Sequence, residues 1–137
     1  MNILSYLTDA ANWTGSGSIL ARLGEHLEYT VLAVLVAAII GIPLGVLIGH
    51  TGRGNIVVIG LSNAARAIPT LGFVVLMVLL LSTGLLPILI VLAILALPPI
   101  LTATAAGIAQ ADPSAVHAAR ALGMTGGQLV AKVEWPL

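Results

Sequence analysis

Residues Leu27–Gly49 read LEYTVLAVLVAAIIGIPLGVLIG, and this stretch decides what kind of protein the chain is. Its one charged side chain is Glu28, at the very edge. As a helix rising about 1.5 Å per residue it is roughly 35 Å long, enough to cross a bilayer with some tilt. Gly41, Gly45 and Gly49 fall four apart and form one smooth ridge on that helix. In lipid, apolar side chains gain nothing by associating, so a glycine groove that lets two backbones approach supplies the packing instead. Pro43, beside the ridge, removes an N–H, frees a carbonyl and predicts a kink. The expectation is a helix that packs on protein along one side.

Composition points the same way. The chain has 137 residues, 59% hydrophobic and 7% charged, with mean hydropathy +1.14. A soluble domain carries roughly a quarter charged residues, so this is read as a membrane protein. Formal net charge is zero, so no basic tract attracts nucleic acid. There is no cysteine, which excludes disulfide scaffolds, thiolate metal sites and cysteine nucleophiles. One Phe, two Tyr and two Trp are too few for an aromatic cage around a cation. No GxxxxGK[ST] loop is present to cradle phosphates. His26, His50 and His117 are scattered, without metal-ligand spacing, and read as solvated or interfacial. Ser62 has no neighbouring base in sequence. The chain is therefore expected to be no enzyme and to hold neither metal nor cofactor.

Working outward, His50–Asn55 (HTGRGN) is a tight polar turn. Residues 56–82 form a second span whose later part, Ile68–Ser82, is strongly apolar but short. Its first part carries Ser62, Asn63 and Arg66 before Pro69 and Thr70. Arginine within a span costs a few kcal/mol unless it faces protein or water, and irregular backbone at depth survives only in such places. Ser62–Thr70 is accordingly read as a break facing a partner helix or a solute path. The simpler alternative has Arg66 snorkel to the interface and anchor the helix end. Thr83-Gly84 makes a short turn into a third span, 85–109, with Pro98-Pro99 in its middle and Thr102 and Thr104 placed to bond the freed carbonyls. On the other side of the first span, residues 1–26 lack the basic start and continuous apolar core of a cleavable signal peptide. Ile3, Leu4, Tyr6, Leu7 and Trp13 suit a segment at the membrane surface, and a poorly ordered terminus is the plainer alternative.

The last stretch, residues 110–137, holds four of the ten charged side chains. Asp112-Pro113 is a helix start, with Asp as cap and Pro at the first position. From Ser114 to Leu122 the residues sort by angle: Ser114, His117 and Arg120 on one face, Ala115, Val116, Ala119 and Leu122 on the other. Gly123 sits where a left-handed cap ends the helix. Thr125 and Gln128 form a capping box for a second short helix, which Pro136 closes. The product is a helix–glycine–helix elbow, too short and too polar to cross a bilayer.

His117-Ala118-Ala119, three residues, Gly123, nine residues, then Val133-Glu134-Trp135-Pro136 is similar to the cytoplasmic signature of the membrane subunits of ABC importers. That signature runs Glu-Ala-Ala, three residues, Gly, nine residues, Ile-x-Leu-Pro. His117 replaces the Glu, Val133 the Ile and Trp135 the Leu. With EHLEYT (25–30), IGIPLGVLIGHTGR (40–53), ARAIPTLG (65–72) and ALGMTGGQLVAKVEWPL (121–137), nearly the whole chain resembles permeases of osmoprotectant ABC importers. These take up glycine betaine, choline, carnitine or related quaternary amines.

The resemblance implies an all-α membrane protein: about three transmembrane helices and a cytoplasmic coupling elbow, part of a type I ABC importer permease (MetI-like) fold. It implies that His117, Ala118, Ala119, Arg120, Gly123 and Pro136 belong to the ATPase-coupling loop. It also implies a cytoplasmic ATP-binding subunit dimer, a second permease subunit (a copy or a different chain) and an external substrate-binding protein. Arg53, Arg120 and Lys132 against Arg22 alone put the elbow in the cytoplasm and the N-terminus outside the bacterial inner membrane by the positive-inside rule. Family members continue past the signature, so the chain is expected to be truncated or to find its remaining spans on another polypeptide. Two other functions stay open: a related importer with an amino acid or metal as cargo, and a structural remnant that no longer transports.

Overall fold

The structure, a computed structural model, describes residues 3–67 and 69–136, apart from the side chains of Asn55, Val57, Ile59, Ser62, Ala65 and Arg66. All its regular elements are helical among the described residues. In order they are α1 (Ile3–Thr8), a 3-10 turn (Ala10–Asn12), α2 (Ile19–Thr51), α3 (Asn55–Ala67), α4 (Thr70–Leu81), α5 (Leu85–Ala109), α6 (Pro113–Ala121), α7 (Gly126–Leu129) and a π-helical turn (Val130–Glu134).

The 33-residue helix α2 is the spine, and it starts well before the expected boundary at residue 27. Ser18 begins it by accepting the Ala21 N–H at 3.3 Å, which satisfies one of the donors that a helix start leaves unpaired. Residues 19–26 are too polar to read as span, yet nothing in them opposes a helix once it is capped. The helix runs through Pro43 and takes in His50 and Thr51. The polar turn is thus narrower than expected. Gly52, at φ +66°, ends the helix in the left-handed region with its N–H on the Ile48 carbonyl at 2.9 Å.

One neighbour, α5, covers the small-residue side of α2. A Cβ added at Gly41 would lie 3.1 Å from Ile100, at Gly45 2.7 Å from Thr104, and at Gly49 2.7 Å from both the Ala105 carbonyl and Ile108. The ridge continues toward the N-terminus through Ala37 and Ala33, which are 1% and 3% exposed. Contact positions rise together along both helices, so α2 and α5 run parallel. A parallel pair obliges the chain to travel back along its whole length between them, and α3 and α4 make that return.

Neither returning helix crosses alone. Among the described residues only α2 and α5 are long and apolar enough to span a membrane, and α4 is a short apolar helix. The expected second span, 56–82, is therefore two helices of 13 and 12 residues. Their lengths add to roughly 37 Å of helix, against about 30 Å for a bilayer core. The break lies later and is shorter than the expected Ser62–Thr70: the backbone is helical from Asn55 to Ala67, and Pro69 stands at the N-cap of α4. The helix satisfies its own backbone around Ser62, Asn63 and Arg66, whereas Pro69 brings no N–H to continue it. Three residues, Ser82–Gly84, then turn the chain so that α4 packs against α5.

In α5 the threonine expectation needs correction. Thr102 Oγ1 donates to the Pro98 carbonyl and Thr104 Oγ1 to the Ile100 carbonyl. Each hydroxyl bonds four residues back on its own helix, and the carbonyls that Pro98 and Pro99 leave unpaired, at Ile94 and Leu95, are not their partners. Outside the seam, large apolar side chains face outward: Ile39 is 73% exposed, Leu71 80% and Leu79 78%. Such a surface belongs in lipid or against another chain. At the N-terminus, Trp13 Nε1 donates to the Leu7 carbonyl and Asn12 Nδ2 to the Tyr6 carbonyl, folding α1 back on its own turn.

Candidate functional site

The elbow grows directly out of α5. Asp112 accepts from the Ser114 N–H at 2.8 Å and the Ser114 hydroxyl at 2.7 Å, and Pro113 occupies the first helical position. These bonds hold the Asp112 carboxyl below the usual aspartate range, the Ser114 side chain contributing most. At the far end of α6, Gly123 donates to the Arg120 carbonyl at 2.9 Å and Met124 to the Ala119 carbonyl at 3.2 Å. With Gly123 at φ +81° this is a Schellman stop. Gln128 Oε1 then accepts the Thr125 N–H at 2.9 Å, giving the capping box that starts α7.

The faces of α6 divide by burial. Ala119 is 6% exposed and packs the elbow itself, while His117, Ala118, Arg120, Gly123 and Pro136 are open. Leu122, assigned by angle to the covered face, is 81% exposed. It lies past the end of α6, where the chain turns into the glycine stop. Of the two alanines, Ala118 is the one available to a partner.

After α7 the chain widens into the π-helical turn, and that turn packs back on α2 and α5. Glu134, only 6% exposed, meets His50 there: Nδ1 lies 2.7 and 2.9 Å from its two carboxylate oxygens. A buried carboxylate needs such a donor, because desolvation disfavours an unpaired charge strongly. The other ring nitrogen, Nε2, would sit 3.3 Å from a Cβ at Gly126. His50 is thus held between the start of α7 and the end of the π turn. Its sequence context suggested a solvated or interfacial histidine; the side chain is part-buried and paired. Beside it opens an apolar cleft of about 790 Å³ between α2 and the elbow, with Pro43, Leu47, Val130 and Trp135 in its walls.

Residues 41–137, which take in the glycine seam, the return helices and the whole elbow, match the family described as binding-protein-dependent transport system inner membrane component. The chain belongs to that family. Similar proteins include the glycine betaine/carnitine/choline transport system permease protein OpuCB of Bacillus subtilis, 32% identical over 90% of this chain. The choline transport system permease protein OpuBD of the same organism is 31% identical over the full chain. The carnitine transport permease protein OpuCD of Listeria monocytogenes is 32% identical, again over the full chain. The chain spans 57%, 60% and 61% of the lengths of these three curated relatives. No solved structure matches it. Each of these relatives is named a permease, not an enzyme. With two long apolar helices, this inner membrane component is an all-α membrane protein, as its composition and signature led one to expect.

The residues considered for a solute path are only partly visible in this family member. Asn63 is exposed on α3, and Pro69 and Thr70 are exposed at the start of α4. The side chains of Ser62 and Arg66 lie outside the described residues. Among the described residues no cluster of three metal-ligating side chains forms. The contact that sequence reasoning missed is His50 with Glu134. Its partners are 84 residues apart, and Glu134 falls on the unspecified position of the signature, so no spacing rule reaches it.

Proposed function

We propose that this chain is membrane-spanning permease sequence of an ATP-driven importer for compatible solutes, namely quaternary amines such as glycine betaine, choline and carnitine. One observation carries the reading: proteins named for transport of these solutes are about a third identical to this chain over nearly its whole length. The elbow of residues 110–137 couples to a separate cytoplasmic ATP-binding subunit dimer, which supplies hydrolysis. His117, Ala118, Arg120 and Gly123 form the docking side, with Ala119 as its packing and Pro136 as its end. A second permease subunit, identical or not, completes the path, and an external binding protein delivers the solute.

In this reading the chain is multi-pass. Residues 1–26 are extracytoplasmic or interfacial, 27–109 form the transmembrane part with α3 and α4 as one crossing, and the elbow faces the cytoplasm. The break near Pro69 and Thr70, with Ser62, Asn63 and Arg66 before it, turns toward the path. The parallel run of α2 and α5 supports this, because it brings the 50–55 turn with Arg53 to the same end as Arg120 and Lys132, where the positive-inside rule wants them.

The test is uptake of labelled glycine betaine, with choline and carnitine as competitors. The host lacks other osmoprotectant importers and carries the complete gene with its ATPase and binding protein. Uptake that depends on the ATPase and is blocked by quaternary amines is expected. Uptake of an amino acid or a metal ion instead would overturn the cargo assignment. These 137 residues hold no cysteine, so Arg120→Cys, with any cysteine elsewhere in the complete gene replaced, reports topology: labelling by an impermeant maleimide in intact cells would overturn the cytoplasmic elbow.

A further inference from the structure

The elbow joins the rest of the molecule at two places of different kinds. One is covalent, where α5 runs into α6 across three residues, Gln110–Asp112. The other is the contact of Glu134 with His50, which ties the far end of the elbow to the last turn of α2. Between these anchors stand Gly123, in the left-handed region, and a widened π turn. Neither is a stiff element, and π turns recur at functional positions. Without the second anchor the far end of the elbow would be held only by the packing of the π turn on α2 and α5.

We propose that Glu134 and His50 are positioning residues that fix the elbow on the end of α2. A displacement of the elbow, which reaches α5 along the chain, then passes to α2 through this contact as well, and the glycine seam keeps the two parallel helices moving as one body. Three observations carry this. Glu134 is almost fully buried, and His50 is the partner that both carboxylate oxygens share. Gly126 closes on the opposite side of the same ring, with no room for a side chain at van der Waals distance. The residue before His50 is Gly49, whose backbone already lies against Ala105 and Ile108 of α5. The polar contact and the end of the seam are therefore neighbours in the chain, and force applied at one is delivered at the other. The transmission of an ATPase-driven displacement rests on the importer reading above; the anchoring of the elbow does not.

The experiment uses the complete permease with its ATPase and binding protein, reconstituted in lipid, with glycine betaine as probe. Glu134→Ala and His50→Ala should leave the ATPase subunit bound, since the open face of α6 is untouched, yet lower uptake per ATP hydrolysed at least tenfold. The reciprocal exchange, His50→Glu with Glu134→His, restores the contact in reverse and should recover at least half of the coupling. Wild-type coupling in both single variants would overturn the proposal. So would an exchange that stays as poor as they are, since a merely structural loss would not be rescued. A second readout needs no transport: spin labels at Thr51 and Lys132, both exposed, should give a narrow distance distribution that broadens in Glu134→Ala. An unchanged distribution overturns the anchoring. Absence of uptake in the wild type, with the label result as expected, would instead sink the cargo reading and leave the anchor standing.

Discussion

Along α2, the buried Ala33 and Ala37 lead into Gly41, Gly45 and Gly49, of which the last two meet α5 at its backbone, whereas one residue later His50 meets the elbow through a single carboxylate. The first contact is long, apolar and repeated every turn. The second is one polar pair. In lipid, where apolar burial does not drive helices together, close backbone approach over many turns is what makes a stable pair. A lone polar contact adds orientation more than cohesion, and it fails as a unit. Damage to the seam should therefore appear as a folding defect, and damage at the elbow as a loss of communication with the fold intact.

The largest effect is expected in the seam. Gly45→Leu would drive a side chain into Thr104 and the Leu101 carbonyl, where even a Cβ stands 2.7 and 2.8 Å away. Because a backbone carbonyl cannot rotate aside, the cost should be about 3 kcal/mol, the upper end for overpacking. It would be read as a marked loss of folded protein in denaturant titration of the detergent-purified permease. Gly107→Ala on α5, with nothing within 4 Å of the added atom, is the control and should be neutral. If both behave alike, the seam is not the stabilising contact. Breaking the Glu134 pair should rank below this in stability, at about 1–3 kcal/mol for stranding a polar partner, while exceeding it in lost coupling per folded molecule.

An intermediate effect is expected at Gly123. Nothing lies within 4 Å of a Cβ there, but φ is +81°, so strain comes from the backbone alone. A side chain in the left-handed region costs about 1–2 kcal/mol, more when β-branched, and Asn tolerates it best. Gly123→Val should lose co-purification with the ATPase subunit while inserting normally in the membrane, and Gly123→Asn should keep most of it. Equal retention by Val would show that the sharp stop after α6 is not needed for docking.

What the chain revealed in advance follows from the range of the interactions. The start cap at Asp112, the stop at Gly123 and the box at Thr125 and Gln128 are made within a few residues, so their spacing shows in the letters. The glycine ridge showed that α2 packs on protein, because a period of four residues is local to one helix. It did not show the partner, or that Ala33 and Ala37 extend the seam, since alanine in an apolar span carries no mark of its own. Residues 19–26 were missed as helix because polarity was read as span ending, although polarity limits lipid contact and not helix formation. The break near Pro69 was drawn too wide for a related reason: Ser62 and Asn63 are polar, but a helix needs only its backbone satisfied. His50 and Glu134 were invisible. Their meeting depends on the parallel return of α5, a property of topology that no local pattern encodes.

The smallest effect, and the one that best isolates the elbow's local order, belongs to Asp112. Its carboxylate accepts from the Ser114 N–H and hydroxyl, which lowers its pKa in the folded state relative to the ordinary 3.8. A depressed folded value means the unfolded chain takes up the proton first. The cap's contribution is then complete above the unfolded pKa and fades as pH falls through the folded one, below the usual aspartate range. Because Asp112 is fully open to solvent, water screens the interaction and the change stays confined to the first turn of α6. In a pH titration of detergent-solubilised permease, the Ser114 amide shift should follow a single proton with a midpoint under 3.8, while amides of the seam do not move. Asp112→Asn retains a cap oxygen without a titrating proton and should abolish the transition while keeping α6 helical. Were the seam amides to follow Asp112, the elbow and the α2–α5 pair would be a single cooperative unit, and the contrast between a rigid seam and a separately anchored elbow would be lost.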